Sequence, residues 1–213
     1  MLEISEYLKF FVGLLAIINP LGVVPIFISM TPRNTAYERN KIIDQVGVGV
    51  AVILLVGLFF GELLLQFFAI TIDSFRVGGG ILILIMAISM IHAKTSAIQQ
   101  TTEEAEESSG KSEIAIVPLA MPLLAGPGAI STVILAAHRG ATVGHYVLIA
   151  CSILVLAVVV WWVLRLSPYI VKRISATGIN IFSRIMGLIL SAIAVEFIAN
   201  GLKGLFPALK SVA

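Results

Sequence analysis

Residues 20–29 read Pro-Leu-Gly-Val-Val-Pro-Ile-Phe-Ile-Ser, and residues 122–131 read Pro-Leu-Leu-Ala-Gly-Pro-Gly-Ala-Ile-Ser. Both stretches follow the pattern P-L-x-x-x-P-x-x-I-S, and the second lies 102 positions after the first. Another pattern, R-x-x-G-x-I-L, begins at Arg76 and again at Arg184, 108 positions later. Two patterns that recur in the same order at nearly one spacing predict a structural unit that the chain uses twice.

The composition places these patterns in a membrane. Of the 213 residues, 59% are hydrophobic and only 12% are charged, whereas a soluble domain is about a quarter charged. A soluble enzyme, a nucleic-acid-binding protein and a disordered chain are therefore disfavoured. The single cysteine, Cys151, excludes an internal disulfide and a cysteine metal cluster. We predict no metal or other cofactor, and we find no enzyme motif.

Long apolar stretches predict six transmembrane helices. A helix needs about 20 apolar residues to cross the hydrocarbon core of a bilayer. The predicted helices cover residues 8–30, 43–68, 75–92, 115–137, 143–166 and 181–204. The N-terminus has no basic region, so the first stretch is interpreted as a mature span and not as a signal peptide.

The repeated unit contains three predicted helices, and this odd number fixes how the two copies are related. The second copy must enter the membrane from the opposite side, which is a recurring architecture of secondary transporters. We predict an all-α membrane protein with two inverted three-helix repeats. The first covers residues 1–93 and the second covers residues 114–213, and a polar cytoplasmic linker at 94–113 joins them.

The basic residues predict the orientation in the membrane. Nine Lys and Arg residues lie in the loops after the first, third and fifth helices, and five lie on the opposite side. Because cytoplasmic loops carry the excess of basic residues, both termini are predicted to lie outside the cytoplasmic membrane.

Prolines inside the first and fourth predicted spans indicate the binding site. A proline inside a helix costs about 3 kcal/mol or more, so we predict that both helices are broken. Broken backbone at membrane depth is tolerated where it lines a cavity. The start of the following half-helix suits a carboxylate, and the carbonyl groups before the break suit an ammonium group. The candidate substrate-binding residues are Asn19, Pro20, Gly22, Pro25, Ser29, Pro122, Gly126, Pro127, Gly128, Ser131 and Thr132.

Two carboxylates within predicted spans, Glu62 and Glu196, are candidates for coupling or gating. A carboxylate inside a membrane is a functional candidate by default, often as a proton carrier. Each also lies near the outer end of its helix, so an interfacial or structural role is the alternative for both.

Several motifs resemble the MarC family of integral membrane proteins. They are Ile-Asn-Pro-Leu-Gly at 18–22, Phe-Arg-Val-Gly-Gly-Gly at 75–80, and Val-Pro-Leu-Ala-Met-Pro-Leu-Leu-Ala-Gly-Pro-Gly at 117–128, together with Ser183, Arg184, Met186 and Gly187, and Asn200-Gly201. The resemblance implies a six-span inner-membrane protein that transports small neutral amino acids such as glycine and alanine, coupled to protons. It also implies that the ligand meets the unwound parts of the first and fourth helices.

The predicted function is therefore secondary transport of small neutral amino acids by alternating access, with a proton or Na⁺ as the coupling ion. The lipid bilayer is the predicted environment, and no nucleic acid is expected as a partner. The alternatives are a channel for small solutes or ions, an exporter of drugs or metabolites, and a membrane-embedded enzyme. The oligomeric state stays open.

Overall fold

The structure, a computed structural model, describes residues 3–31, 34–92, 124–173, 176–206 and 208. Within these residues all regular secondary structure is helical. The helices are α1 (Ile4–Ile18), α2 (Pro20–Met30), α3 (Ala36–Phe67), α4 (Ile72–Ile91), α5 (Pro127–Ala137), α6 (Val143–Arg165), α7 (Ser167–Arg173) and α8 (Ala176–Leu205).

Five helical stretches are long and apolar enough to cross a bilayer, which confirms the prediction of a multi-pass, all-α membrane protein. They are Ile4–Ile28, Ala36–Phe67, Ile72–Ile91, Val143–Arg165 and Thr177–Leu205. Helix α5 corresponds to the end of the remaining predicted span and has 11 residues. Residues 115–123 of that span and the predicted linker at 94–113 lie outside the described residues. The count of six helices and the inverted repeat therefore stay predictions.

Several helices extend beyond the predicted spans, and α3 shows the reason. It begins at Ala36, seven positions before the expected start at 43. The hydroxyl of Thr35 accepts a hydrogen bond from the backbone N–H of Glu38 (3.3 Å), and the Glu38 carboxylate accepts one from the N–H of Thr35 (2.7 Å). This capping box satisfies free N–H groups at the helix start. Charged residues limit the membrane span, but they do not end the helix.

The helices pack in pairs around a common apolar core. Helix α4 packs along α8, α3 packs against α6 and α5, and α1 contacts α5 and α6. The core includes Leu14, Leu54, Ile83 and Leu156, all of which are fully buried. Many large apolar side chains on the outward faces are exposed, which is the arrangement that helices surrounded by lipid require.

Two glycines allow α4 and α8 to approach closely. A side-chain carbon on Gly80 would lie 3.0 Å from the carbonyl oxygen of Ala194, and one on Gly187 would lie 2.9 Å from the carbonyl oxygen of Ala87. Small residues at such crossings let two helix backbones pack directly against each other in a membrane.

One end of the bundle collects the starts of α1 and α4 and the ends of α5 and α8. Arg139, just after α5, forms an ion pair with Glu6 near the start of α1, at 3.4 Å. The Asp73 carboxylate, near the start of α4, lies against Gly204 near the end of α8. We call this the α1 end of the bundle.

Candidate functional site

Asn19 separates α1 from α2 within the first predicted span. This residue lies between α1 and α2 with φ 44° and ψ 62°, in the left-handed region. Its side-chain oxygen accepts a hydrogen bond from the N–H of Gly22 at 3.3 Å, and Pro20 occupies the first turn of α2. Asparagine tolerates the left-handed conformation better than most residues, and proline has no N–H to lose at a helix start. The local sequence Asn-Pro therefore ends one helix and begins the next.

The other proline of this span, Pro25, lies inside α2 and does not end it. Pro20 is buried, whereas Pro25 is exposed. The interruption therefore falls at one position, Asn19, and Pro25 is placed away from it. Ser29 belongs to α2, but its side chain lies outside the described residues.

Gly22 faces two polar side chains that come from different parts of the chain. A side-chain carbon at Gly22 would collide with the amide nitrogen of Asn19 and would lie 3.2 Å from the hydroxyl oxygen of Ser183 on α8. Among the described residues, neither the Asn19 amide nitrogen nor the Ser183 hydroxyl has a hydrogen-bond partner. Two free polar groups therefore meet beside a residue without a side chain.

The start of α5 contains three of the predicted residues. Gly126 is the N-cap with an extended backbone and no side-chain hydrogen bond, and Pro127 is the first residue of the helix. Gly128 is buried, and a side-chain carbon there would lie 3.1 Å from Ile83 and 3.6 Å from Ile17. Pro122 lies outside the described residues, so the predicted break of the fourth span is only described on its α5 side.

The hydroxyl groups of Ser131 and Thr132 both bond to the backbone of α5. Ser131 donates to the carbonyl oxygen of Pro127 (2.7 Å), and Thr132 donates to that of Gly128 (2.8 Å). Both side chains are buried. Their hydrogens are therefore already used, and only their lone pairs are free for a ligand.

A cavity of about 730 Å³ opens at the α1 end of the bundle. Helices α1, α4, α5 and α8 form its walls, and its lining includes the buried residues Ile17 and Thr132. Ile17 precedes Asn19 by two positions and packs against Gly128. The cavity thus reaches from the end of the bundle to Ile17, near the end of α1, and to Thr132, in the middle of α5.

Charged side chains line this cavity, and most of them are paired. Glu6 pairs with Lys9 at 3.5 Å and with Arg139 at 3.4 Å, and Asp73 pairs with Arg76 at 3.3 Å. Apart from Thr132, the remaining polar lining comes from α8. It consists of Glu196, Asn200 and Lys203, none of which has a hydrogen-bond or ion-pair partner in the described part of the chain.

The structure separates the two carboxylates that the sequence grouped as coupling candidates. Glu196 lines the cavity. Glu62 does not line the cavity. Its carboxylate oxygen Oε1 lies 3.0 Å from Nδ1 of His138, within hydrogen-bond and ion-pair distance. The described residues contain no group of three or more His, Cys, Asp or Glu side chains arranged to hold a metal ion.

Sequence reasoning did not select Ser183, Asn200 or Lys203 as site residues. Ser183 meets Gly22 only through the packing of α8, which no local pattern reveals. For Asn200 and Lys203 a signal was present, since Glu196, Asn200 and Lys203 follow the spacing i, i+4, i+7 of one helix face.

These features define the class as an all-helical, multi-pass membrane protein with a cavity lined by charged and polar side chains. The family model for "MarC family integral membrane protein" matches residues 4–206. The chain belongs to the MarC family.

Relatives in bacteria support this membership. The chain is 45% identical to UPF0056 membrane protein YhcE of Escherichia coli, over 97% of this chain and 96% of the relative. It is 39% identical to UPF0056 membrane protein YvbG of Bacillus subtilis, over 94% and 96%. A UPF0056 membrane protein of Aquifex aeolicus is 37% identical, over 93% of both chains. No solved structure is a significant match.

Proposed function

We propose that this chain is a secondary transporter of small neutral amino acids of the glycine and alanine class. The single observation that carries the proposal is the cavity of about 730 Å³ that leads to Ile17, beside the left-handed residue Asn19 and against Gly128. Transporter sites are typically built where interrupted helices meet near the middle of the membrane. Membership in the MarC family agrees with a transport role.

The chemistry around Asn19 suits a small zwitterion. Pro20 and Pro127 have no N–H, and the Gly22 N–H bonds to Asn19. The other N–H groups in the first turns of α2 and α5 lack helical partners and lie at the positive ends of the helix dipoles, which favours a carboxylate. The Asn19 amide nitrogen supplies a further donor, and the Ser183 hydroxyl faces the same space. The carbonyl groups at the end of α1 are acceptors for an ammonium group. Because Gly22 has no side chain, it leaves room for the ligand, and a larger residue at this position would fill that space.

Reciprocal contacts between α4 and α8 support an inverted repeat as the frame of this site. Gly80 packs against Ala194 and Ile198, and Gly187 packs against Ala87 and Ile91. The two sets correspond through the repeat spacing of 108. When each residue of the first set is moved by this spacing, it falls within one position of its counterpart in the second set: Gly80 of Gly187, Ala194 of Ala87, and Ile198 of Ile91. This exchange of partners is what a two-fold axis between the repeats would produce.

The proposed transport cycle is alternating access. With both termini outside, as the basic residues predict, the α1 end faces the exterior and the cavity admits ligand from that side. Rocking of one repeat against the other would then open the opposite end. Glu196 lines this path and is the proposed proton-coupling or gating residue, with Na⁺ as the other candidate ion. Glu62, which pairs with His138, is a proposed gating contact.

Uptake of radiolabelled glycine and alanine into proteoliposomes tests the function. The proposal expects uptake that saturates with substrate concentration and that a protonophore abolishes. Protein-free liposomes are the control. Flux that never saturates would favour the channel, and transport of bulky compounds without glycine transport would favour an exporter of drugs or metabolites. The absence of flux for every small neutral amino acid would overturn the proposal.

A further inference from the structure

The cavity has a polar stripe on α8 that lies apart from the proposed substrate site at Asn19. Glu196, Asn200 and Lys203 all lie on α8 and all line the cavity. Their spacing of four and three residues places them on one helix face. In contrast, the other charged residues around the cavity are engaged in ion pairs with each other.

These three side chains have no hydrogen-bond or ion-pair partner elsewhere in the described structure. An apolar wall, which includes Phe10 and Phe197, lines the same cavity. Glu196, Asn200 and Lys203 are all exposed, so a ligand that enters the cavity can reach their side chains. An unpaired carboxylate and an unpaired ammonium group in one cavity therefore favour a ligand that carries both charges.

The spacing also matches the head group of an amino acid. Side chains four residues apart on a helix have Cβ atoms about 6 Å apart, so Glu196 and Asn200 are placed to hold opposite ends of one small molecule. A carboxylate such as that of Glu196 can accept hydrogen bonds from an ammonium group. The Asn200 amide and the Lys203 ammonium group can donate to a carboxylate.

We propose that Glu196, Asn200 and Lys203 form a second binding site, the vestibule site, for the zwitterionic head group of a free amino acid. The inference rests on the proposed function, because it assigns a first binding step to the same transport path. A solute with one charge would leave either Glu196 or Lys203 uncompensated, so the vestibule site selects against it before the ligand reaches Asn19.

Binding stoichiometry of radiolabelled glycine, measured by equilibrium dialysis of the purified full chain in detergent, tests the inference. The wild-type protein is expected to bind two glycines per chain. Glu196→Gln is expected to bind one, Asn19→Gly is expected to bind one, and the double variant is expected to bind none. Glu3→Gln is the matched control, because Glu3 is exposed near the same end but does not line the cavity. It should bind two.

A second variant guards against an effect on folding alone. Lys203→Met removes the opposite charge of the vestibule site and should also lose one glycine. If the wild type binds one glycine, and Glu196→Gln and Lys203→Met also bind one, the vestibule site is overturned while the proposed function stands. If the wild type binds one glycine, Glu196→Gln binds none and Asn19→Gly still binds one, the vestibule site is supported and the site at Asn19 is overturned. Binding of no glycine by the wild type would overturn both.

Discussion

The buried imidazole of His145 joins three helices through hydrogen bonds to the Tyr7 hydroxyl and the Ala136 carbonyl. The Tyr7 hydroxyl oxygen lies 2.8 Å from Nδ1 of His145, and Nε2 of the same ring lies 2.9 Å from the carbonyl oxygen of Ala136. A carbonyl only accepts, so Nε2 carries the hydrogen, and in the neutral ring Nδ1 accepts from the Tyr7 hydroxyl. Since Ala136 lines the cavity, this bond holds α1 and α6 against the cavity wall formed by α5.

Replacing Tyr7 with Phe is therefore expected to destabilise the protein. The His145 side chain is only 1% exposed, so its Nδ1 would lose its partner without gaining water. Leaving a buried polar group unsatisfied costs about 1–3 kcal/mol. Thermal unfolding in detergent measures the effect as a lower midpoint. Tyr37→Phe is the matched control, because Tyr37 is 77% exposed. Equal midpoints for the two variants would show that the Tyr7 bond contributes nothing.

Glycine contacts give a second stability prediction. Gly187→Ala places a carbon 2.9 Å from the carbonyl oxygen of Ala87 and 3.1 Å from the backbone nitrogen of Ile91. Backbone atoms cannot rotate away, so α4 and α8 must separate, at a cost of about 1–3 kcal/mol. Gly78→Ala is the control, since no atom lies within 4 Å of its added carbon. Alanine there should be neutral or should stabilise α4 by up to about 1 kcal/mol.

The same unfolding measurement compares the two variants. We expect a lower midpoint for Gly187→Ala than for wild type, and no loss for Gly78→Ala. A midpoint for Gly187→Ala at or above that of Gly78→Ala would contradict the close helix contact.

The sequence was sufficient for the helices but not for their ends. Apolar runs of about 20 residues leave a chain in lipid few alternatives to a helix, so the spans could be located by counting. The ends depend on local hydrogen bonds. Thr35 begins α3 through a capping box among charged residues, where counting apolar residues had placed a loop.

The candidate site was predictable only where a local residue determines the backbone. Asn19 interrupts the helix through its own conformation, and Asn-Pro is visible in the sequence. Glu62 and Glu196 looked alike in sequence, but Glu62 meets His138, which lies 76 positions away. Ser183 meets Gly22 across an even longer separation. Contacts of this kind depend on packing between helices, which hydrophobic patterns do not specify.

Gly22→Ala is expected to reduce glycine binding by about tenfold or more, because one hydrogen bond to a charged ligand contributes about 1.5–3 kcal/mol. The added carbon would collide with the Asn19 amide nitrogen and displace it. Isothermal titration calorimetry with glycine measures the change in affinity. Gly78→Ala again serves as the control with the same substitution, and wild-type affinity in Gly22→Ala would exclude Gly22 from the site.

Asn19 allows the backbone and the amide of the site to be tested separately. Asn19→Ala removes the amide and forces alanine into the left-handed region, at a cost of about 1–2 kcal/mol. Asn19→Gly removes the same amide, but glycine adopts a φ of 44° without that penalty. We therefore expect both variants to lose glycine uptake in proteoliposomes by about tenfold or more, while only Asn19→Ala unfolds at a lower temperature. Wild-type uptake by Asn19→Gly would mean that Asn19 acts only by shaping the turn between α1 and α2. Loss of uptake at wild-type stability would instead assign the loss to the amide, since the backbone conformation that Asn19 adopts is available to glycine.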